Sequence, residues 1–256
     1  MKRESTPVSE WSFFALLISE EGGRVIEPVL ETHKNEAAQV TWNLLYDLDG
    51  PTIIDRTPSA RERYVARLFR GMCEITRCFE TLADIAVYIN RFPYRGTAVT
   101  EVRYLRYHVE NYFQDLYILR ERLVSYLNVV TRSFARETDA SEIKLKVNSL
   151  SSLVRGALES MVQVRDAHVH EYRIDPDDLW RLDELSLLVR AGSKDISEHF
   201  AEYYRSAYKS VRKKWRQTVM ANNEQLGVLL DKCGSVLVDI LFHKENRKLR
   251  CPKRYQ

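Results

Sequence analysis

Residues 164–172 read Val164-Arg165-Asp166-Ala167-His168-Val169-His170-Glu171-Tyr172, which puts a guanidinium, a carboxylate and two imidazoles within six consecutive positions. Arginine stays charged at any working pH and holds phosphate through two parallel N–H donors, whereas imidazole gains and loses a proton near neutrality. A charge clamp beside a proton carrier suits phosphodiester chemistry. On a continuing helix Asp166 and His170, four residues apart, share a face, where the carboxylate can orient the imidazole and raise its pKa. Arg165 and His170 are five apart, about 140° round an ideal helix, so they meet only if the helix loosens or a second subunit completes the site. His168 continues the apolar stripe from Met161 and is the alternative inward imidazole. The competing reading of the whole cluster is a polar network that caps carbonyls at a helix end. The bare Arg-to-His interval also recurs at Arg103 and His108, without the following acid or the trailing tyrosine.

The elements that must carry these groups are helical, so the expected fold class is all-α. Thr57-Pro58 reads as a helix start, with Thr as N-cap and Pro in the first turn. Val65, Leu68, Met72, Ile75, Phe79, Leu82, Ala86 and Ile89 then recur at steps of three and four until Phe92-Pro93. Val102, Leu105, Val109, Tyr112, Leu116, Leu119, Leu123, Tyr126 and Val130 repeat the spacing. Two helices of roughly 50 Å joined by the short link from Pro93 to Gly96 form an antiparallel hairpin. A third helix, about Ser141 to Tyr172, carries Ile143, Val147, Leu150, Val154, Ala157 and Met161 on one face and ends at Asp175-Pro176. A shorter helix spans Asp177 to Val189. A last one starts at Ser193 and is expected to break at Asn222-Asn223 before resuming at Leu226.

The flanks are less periodic. Residues 11–32 fit either a hairpin or a short helix and turn, and Lys34 to Tyr46 reads as a modest helix before the turn-rich Asp49-Gly50-Pro51. The expected organisation is an N-terminal extension over 1–56, a helical bundle over 57–245, and a loose basic tail over 246–256.

Composition sets the outer limits. The chain has 256 residues, 45% hydrophobic and 29% charged, enough to bury a sizeable core. A net charge of +3 and a pI near 8.6 fall short of what a protein coating nucleic acid without a specific site would carry. Lys209, Arg212, Lys213, Lys214 and Arg216, with Arg205 one turn earlier and Tyr208 and Trp215 interleaved, read as an RNA-tracking stripe or as a solvated face with Trp215 in the core. Cys73, Cys78, Cys233 and Cys251 have no zinc-type spacing, and no Gly-rich phosphate loop, His-Glu-x-x-His or paired Glu-x-x-His pattern occurs. No metal or cofactor is expected. The stretch Phe13 to Ile18 lacks a cleavage site, and Leu226 to Phe242 is interrupted by Asp231, Lys232 and Asp239, so a cytoplasmic protein without membrane partners is expected.

Arg165-Asp166-Ala167-His168-Val169-His170-Glu171-Tyr172 resembles the Arg, polar residue, three spacers, His, spacer, Tyr motif of the HEPN superfamily. The resemblance implies an α-helical bundle with the motif toward the end of a long helix, matched here over roughly residues 97 to 175. It further implies a homodimeric, metal-independent endoribonuclease with a toxin or defence role. Arg165 would contact the scissile phosphate and His170 would act as general acid or base. Asp166 stands where the family usually has Asn or another polar residue, and His168 and Tyr172 would support the site. Other members are noncatalytic, which implies the alternative of a helical interaction module that self-associates or docks a partner such as a nucleotidyltransferase antitoxin.

Overall fold

A capping box starts the first long helix of the bundle. The Ser59 backbone N–H donates to Glu62 Oε2 at 2.6 Å, and the Glu62 N–H donates back to Ser59 Oγ at 3.2 Å. Two otherwise orphaned donors are thereby satisfied. The cap is Ser59 rather than Thr57, because Ser59 is the residue with a glutamate three positions later.

The computed structural model describes residues 9–32, 58–91, 99–170, 177–191 and 193–256, with the backbone alone at 26, 28–32, 160–170, 177 and 196. Among these residues there are six α-helices: α1 Glu10–Thr32, α2 Ala60–Asn90, α3 Glu101–Ser133, α4 Ala140–His170, α5 Asp177–Ala191 and α6 Lys194–Leu241. The chain is an all-α helical bundle. The proposed helix over 34–46, the Pro93–Gly96 link and residues 171–176 lie outside the described residues. No described helix is long and apolar enough to cross a membrane.

The chain divides into two compact units, and α2, α3, α4 and α6 each contribute to both. The first unit takes residues 1–76, 121–155 and 227–256. Within it Tyr126 lies beside Gly71 and Arg122 pairs with Glu74, so α3 numbers fall as α2 numbers rise and the two helices are antiparallel. The apolar stripe of α4 is buried at Ile143, Val147, Leu150, Val154 and then Leu158, whereas Ala157 is exposed. A 3.6-residue period carries the stripe to the larger neighbour.

Residues 10–32 form one helix, neither a hairpin nor a helix and turn. Each interior glycine costs a helix about 1 kcal/mol relative to alanine. Burial of Trp11, Phe14, Leu17 and Ile18 outweighs that, at about 1.5–3 kcal/mol for each large apolar side chain. Gly22 itself is buried with Phe69 3.5 Å from where a Cβ would stand. The start of α1 is anchored from α6, where Asp231 Oδ1 accepts the Trp11 N–H at 3.0 Å, and the Trp11 indole donates to Thr76 Oγ1 at 3.2 Å. A carboxylate at a helix N-terminus also opposes the positive end of the helix dipole.

Close approach at this anchor depends on Gly234. A Cβ there would stand 2.6 Å from the Glu10 carbonyl oxygen and 2.8 Å from Trp11 Cα, both backbone atoms that cannot swing aside. Gly234→Ala should therefore cost about 1–3 kcal/mol by overpacking, read as a lower urea midpoint. Ser235→Ala, one residue on and exposed, should leave the midpoint nearly unchanged.

The C-terminal segment is docked, not loose. Phe242 and Leu249 form an antiparallel bridge, with Arg247 at φ 53° closing the turn and its guanidinium 4.9 Å from the Phe13 ring. Arg250 donates to Asp139 at 2.8 Å and to the Ile240 carbonyl at 3.0 Å while lying over Phe134. Tyr255, in a short 3-10 turn over Lys253–Tyr255, stacks on Tyr64 with centroids 4.6 Å apart. Basic composition suggested a solvated end, but the aromatic and acidic partners on α1, on α2 and between α3 and α4 convert it into packed structure.

The second unit comprises residues 77–120 and 156–226. Here α6 runs straight through Asn222-Asn223, where a break was expected. Asn223 donates to the Leu82 carbonyl at 2.9 Å and accepts the Tyr112 hydroxyl at 3.2 Å. Its side chain bonds to α2 and α3 instead of competing for its own backbone, which is the usual reason asparagine weakens a helix. Arg106 pairs with Asp183 at 2.7 Å, joining α3 to α5. Asp178 receives Lys214 at 2.7 Å and the Trp215 indole at 3.4 Å, joining α5 to α6.

Candidate functional site

The last described side chains before the Arg/His motif are held by burial and charge. Leu158 is buried, and Glu159 receives Arg120 of α3 at 3.4 Å. From there α4 continues as helix through His170. The backbone positions of Arg165, Asp166, His168 and His170 thus belong to α4, while their side chains, and all of Tyr172, lie outside the described residues. On that helical backbone Asp166 and His170 are about 40° apart and Arg165 and His170 about 140° apart.

The basic stretch of α6 is a stripe. Arg205, Lys209, Arg212, Lys213 and Arg216 recur at intervals that keep them within about 100° of one another round the helix. Lys209 and Lys213 are exposed and Arg216 is half-buried. Arg212 sits with its guanidinium 5.5 Å from the Tyr208 ring centroid. Lys214 lies off this line and is committed to Asp178. Tyr208 and Trp215 are buried, so the aromatics interleaved in sequence are core residues rather than surfaces for stacking. Of the tail cations, Arg247, Arg250 and Arg254 engage Phe13, Asp139 and the Arg132 carbonyl respectively.

One imidazole had looked incidental in the sequence. His108 of α3 is half-buried, with ring centroids at 4.4 Å from Tyr104, 5.2 Å from Tyr88 and 5.3 Å from Tyr107. Burial lowers its pKa below the usual imidazole value. Tyr104 and Tyr107, at four and one residues before His108, were a legible signal on one helix; Tyr88 needed the tertiary pairing of α2 with α3.

The sign of the resulting pH effect follows from linkage. An unfolded chain takes up a proton on its histidine near pH 6.5, before the folded one does, so the His108 contribution is full above that pH and lost as pH falls below it. His108→Phe should flatten part of the decline in denaturation midpoint between pH 7.5 and 5. An unchanged slope would remove His108 from that decline.

The four cysteines are free thiols, and burial pushes Cys233 up to about 12. Among the described residues no three His, Cys, Asp or Glu side chains are grouped to hold a metal ion. No family model, curated protein or solved structure matches this chain.

Proposed function

We propose that the protein is a metal-independent endoribonuclease of HEPN type that works as a homodimer. The observation that carries this reading is the Arg165-to-Tyr172 string, whose residues through His170 close a long helix in an all-α chain. In the reaction the ribose 2'-hydroxyl attacks the adjacent phosphorus while the P–O5' bond breaks, leaving a 2',3'-cyclic phosphate and a free 5'-hydroxyl. One proton leaves the attacking oxygen and one reaches the departing oxygen, so the balance needs no further reactant. His170 carries one of these transfers and Arg165 neutralises the charge that grows on the phosphoryl oxygens. Asp166 orients the imidazole from one turn away, with His168 and Tyr172 in support.

Two subunits facing one cleft supply paired Arg165 and His170 groups, which removes any need for the two residues of one chain to share a helix face. Lys209, Arg212, Lys213 and Arg216 offer a cationic path for the rest of the strand. A toxin or defence role, with an antitoxin protein as partner, belongs to the same reading. The test is incubation of purified protein with single-stranded RNA in EDTA, with product ends mapped. Cyclic-phosphate ends are expected, and intact RNA overturns the assignment.

A further inference from the structure

Two tyrosines of the second unit are exposed: Tyr107 is 61% exposed and Tyr88 45%. Both lie against one half-buried ring, His108, with Tyr88 tilted at 31° to it and Tyr107 edge-on at 77°. Tyr104 closes the inner side of His108 at 4.4 Å, so the imidazole is wedged and the outer rings are propped. Aromatic faces held this way lose little freedom when a flat ligand stacks on them. We propose that Tyr88, Tyr107 and His108 form a stacking platform for unpaired bases of single-stranded nucleic acid.

The charge around the platform argues for that occupant over an apolar protein surface. Arg103, one turn before Tyr107, and Arg91, three residues after Tyr88, are both exposed. Tyr104 is close enough to Tyr208 for the two phenols to influence each other, and Arg212 of the α6 stripe lies over Tyr208. Tyr104, which touches His108, therefore also senses the Tyr208 and Arg212 pair. Of the acids nearby, Asp183 is paired with Arg106, Glu101 lies beside Tyr204 and Tyr208, and Asp84 is exposed one turn before Tyr88, so the cationic side of the site is the α6 stripe. Bases on the rings and phosphates toward Arg212 and Lys209 satisfy both halves of a nucleotide. Stacking gives a preference that the cationic stripe alone does not, since paired bases hide their faces inside the duplex.

The platform stands whether or not the chain cuts RNA, and the test keeps the two apart. Binding of a fluorescein-labelled 2'-fluoro adenylate 12-mer, which lacks the attacking hydroxyl, is followed by anisotropy and compared with its duplex. The single strand should bind more tightly. Alanine at both Tyr88 and Tyr107 should weaken it by about 10-fold or more, given that stacking typically contributes about 1–3 kcal/mol per base. Phenylalanine at both positions should retain binding, because the ring faces remain. Tyr107→Ala alone removes the most exposed ring, carries little risk to the fold, and should still weaken binding. Equal affinity for strand and duplex, no binding, or an alanine variant that binds like wild type overturns the platform. Tight strand binding with no cleavage of ordinary RNA overturns only the ribonuclease reading.

Discussion

His170→Ala should lower the rate of RNA cleavage by about 100-fold to 10,000-fold, the usual share of a positioned acid or base. Arg165→Ala should cost a comparable factor, about 100-fold to 1,000-fold, by removing the charge that meets the developing oxyanion. Neither change should move the thermal midpoint by more than a surface substitution does. His199→Ala, an exposed imidazole on α6, is the matched control and should leave the rate alone. Initial rates on a single-stranded substrate in EDTA, with circular dichroism melts of each variant, decide the matter. If wild type, His170→Ala and Arg165→Ala cut alike, the activity belongs to a contaminant or another site and the proposed mechanism is wrong.

Phe14→Ala should destabilise the first unit by about 3–5 kcal/mol, the range for emptying a buried phenylalanine site. The ring is fully buried, meets Tyr126 edge-on at 6.3 Å, and has Trp11 at 5.3 Å. Removing it leaves a hole between α1 and α3 that helices cannot close without moving. Leu16→Ala, two residues on but 53% exposed, should change stability by only about 0.5 kcal/mol. Urea unfolding of the two variants measures how far residues 10–32 belong to the core. Equal midpoints would mean that α1 is an appendage.

The long stripe of α3 was readable residue by residue, and that of α2 nearly so with Ile85 buried in place of Ala86, because a helix repeats every 3.6 positions and core-facing side chains must follow that repeat. Val102 through Val130 are all buried at the spacing read from the chain. The Arg165-to-His170 cluster was legible for a related reason: its residue types and its place near the end of a periodic run are local facts. What these groups face is not local, and the proposed mechanism calls on a second subunit for half of the site.

Non-local partners also decided the remaining departures. Residues 11–32, with Gly22-Gly23 in their middle, fit a hairpin or a helix and turn by sequence, but burial of α1 against the core outweighed the weak helix preference of glycine. Asn222-Asn223 looked like a break until Leu82 and Tyr112 took up the Asn223 amide. Arg250 and Tyr255 looked like a solvated end, yet Asp139, Phe134 and Tyr64 wait more than a hundred residues upstream. Chain order alone indicated that α2 to α5 are helical and where the apolar stripes of α2 to α4 run, since both depend on neighbours within one or two turns. Which polar or glycine-rich stretches join the core, and which rings gather round His108, depended on packing partners distant in the chain, whose contact energies exceed the local preferences they override.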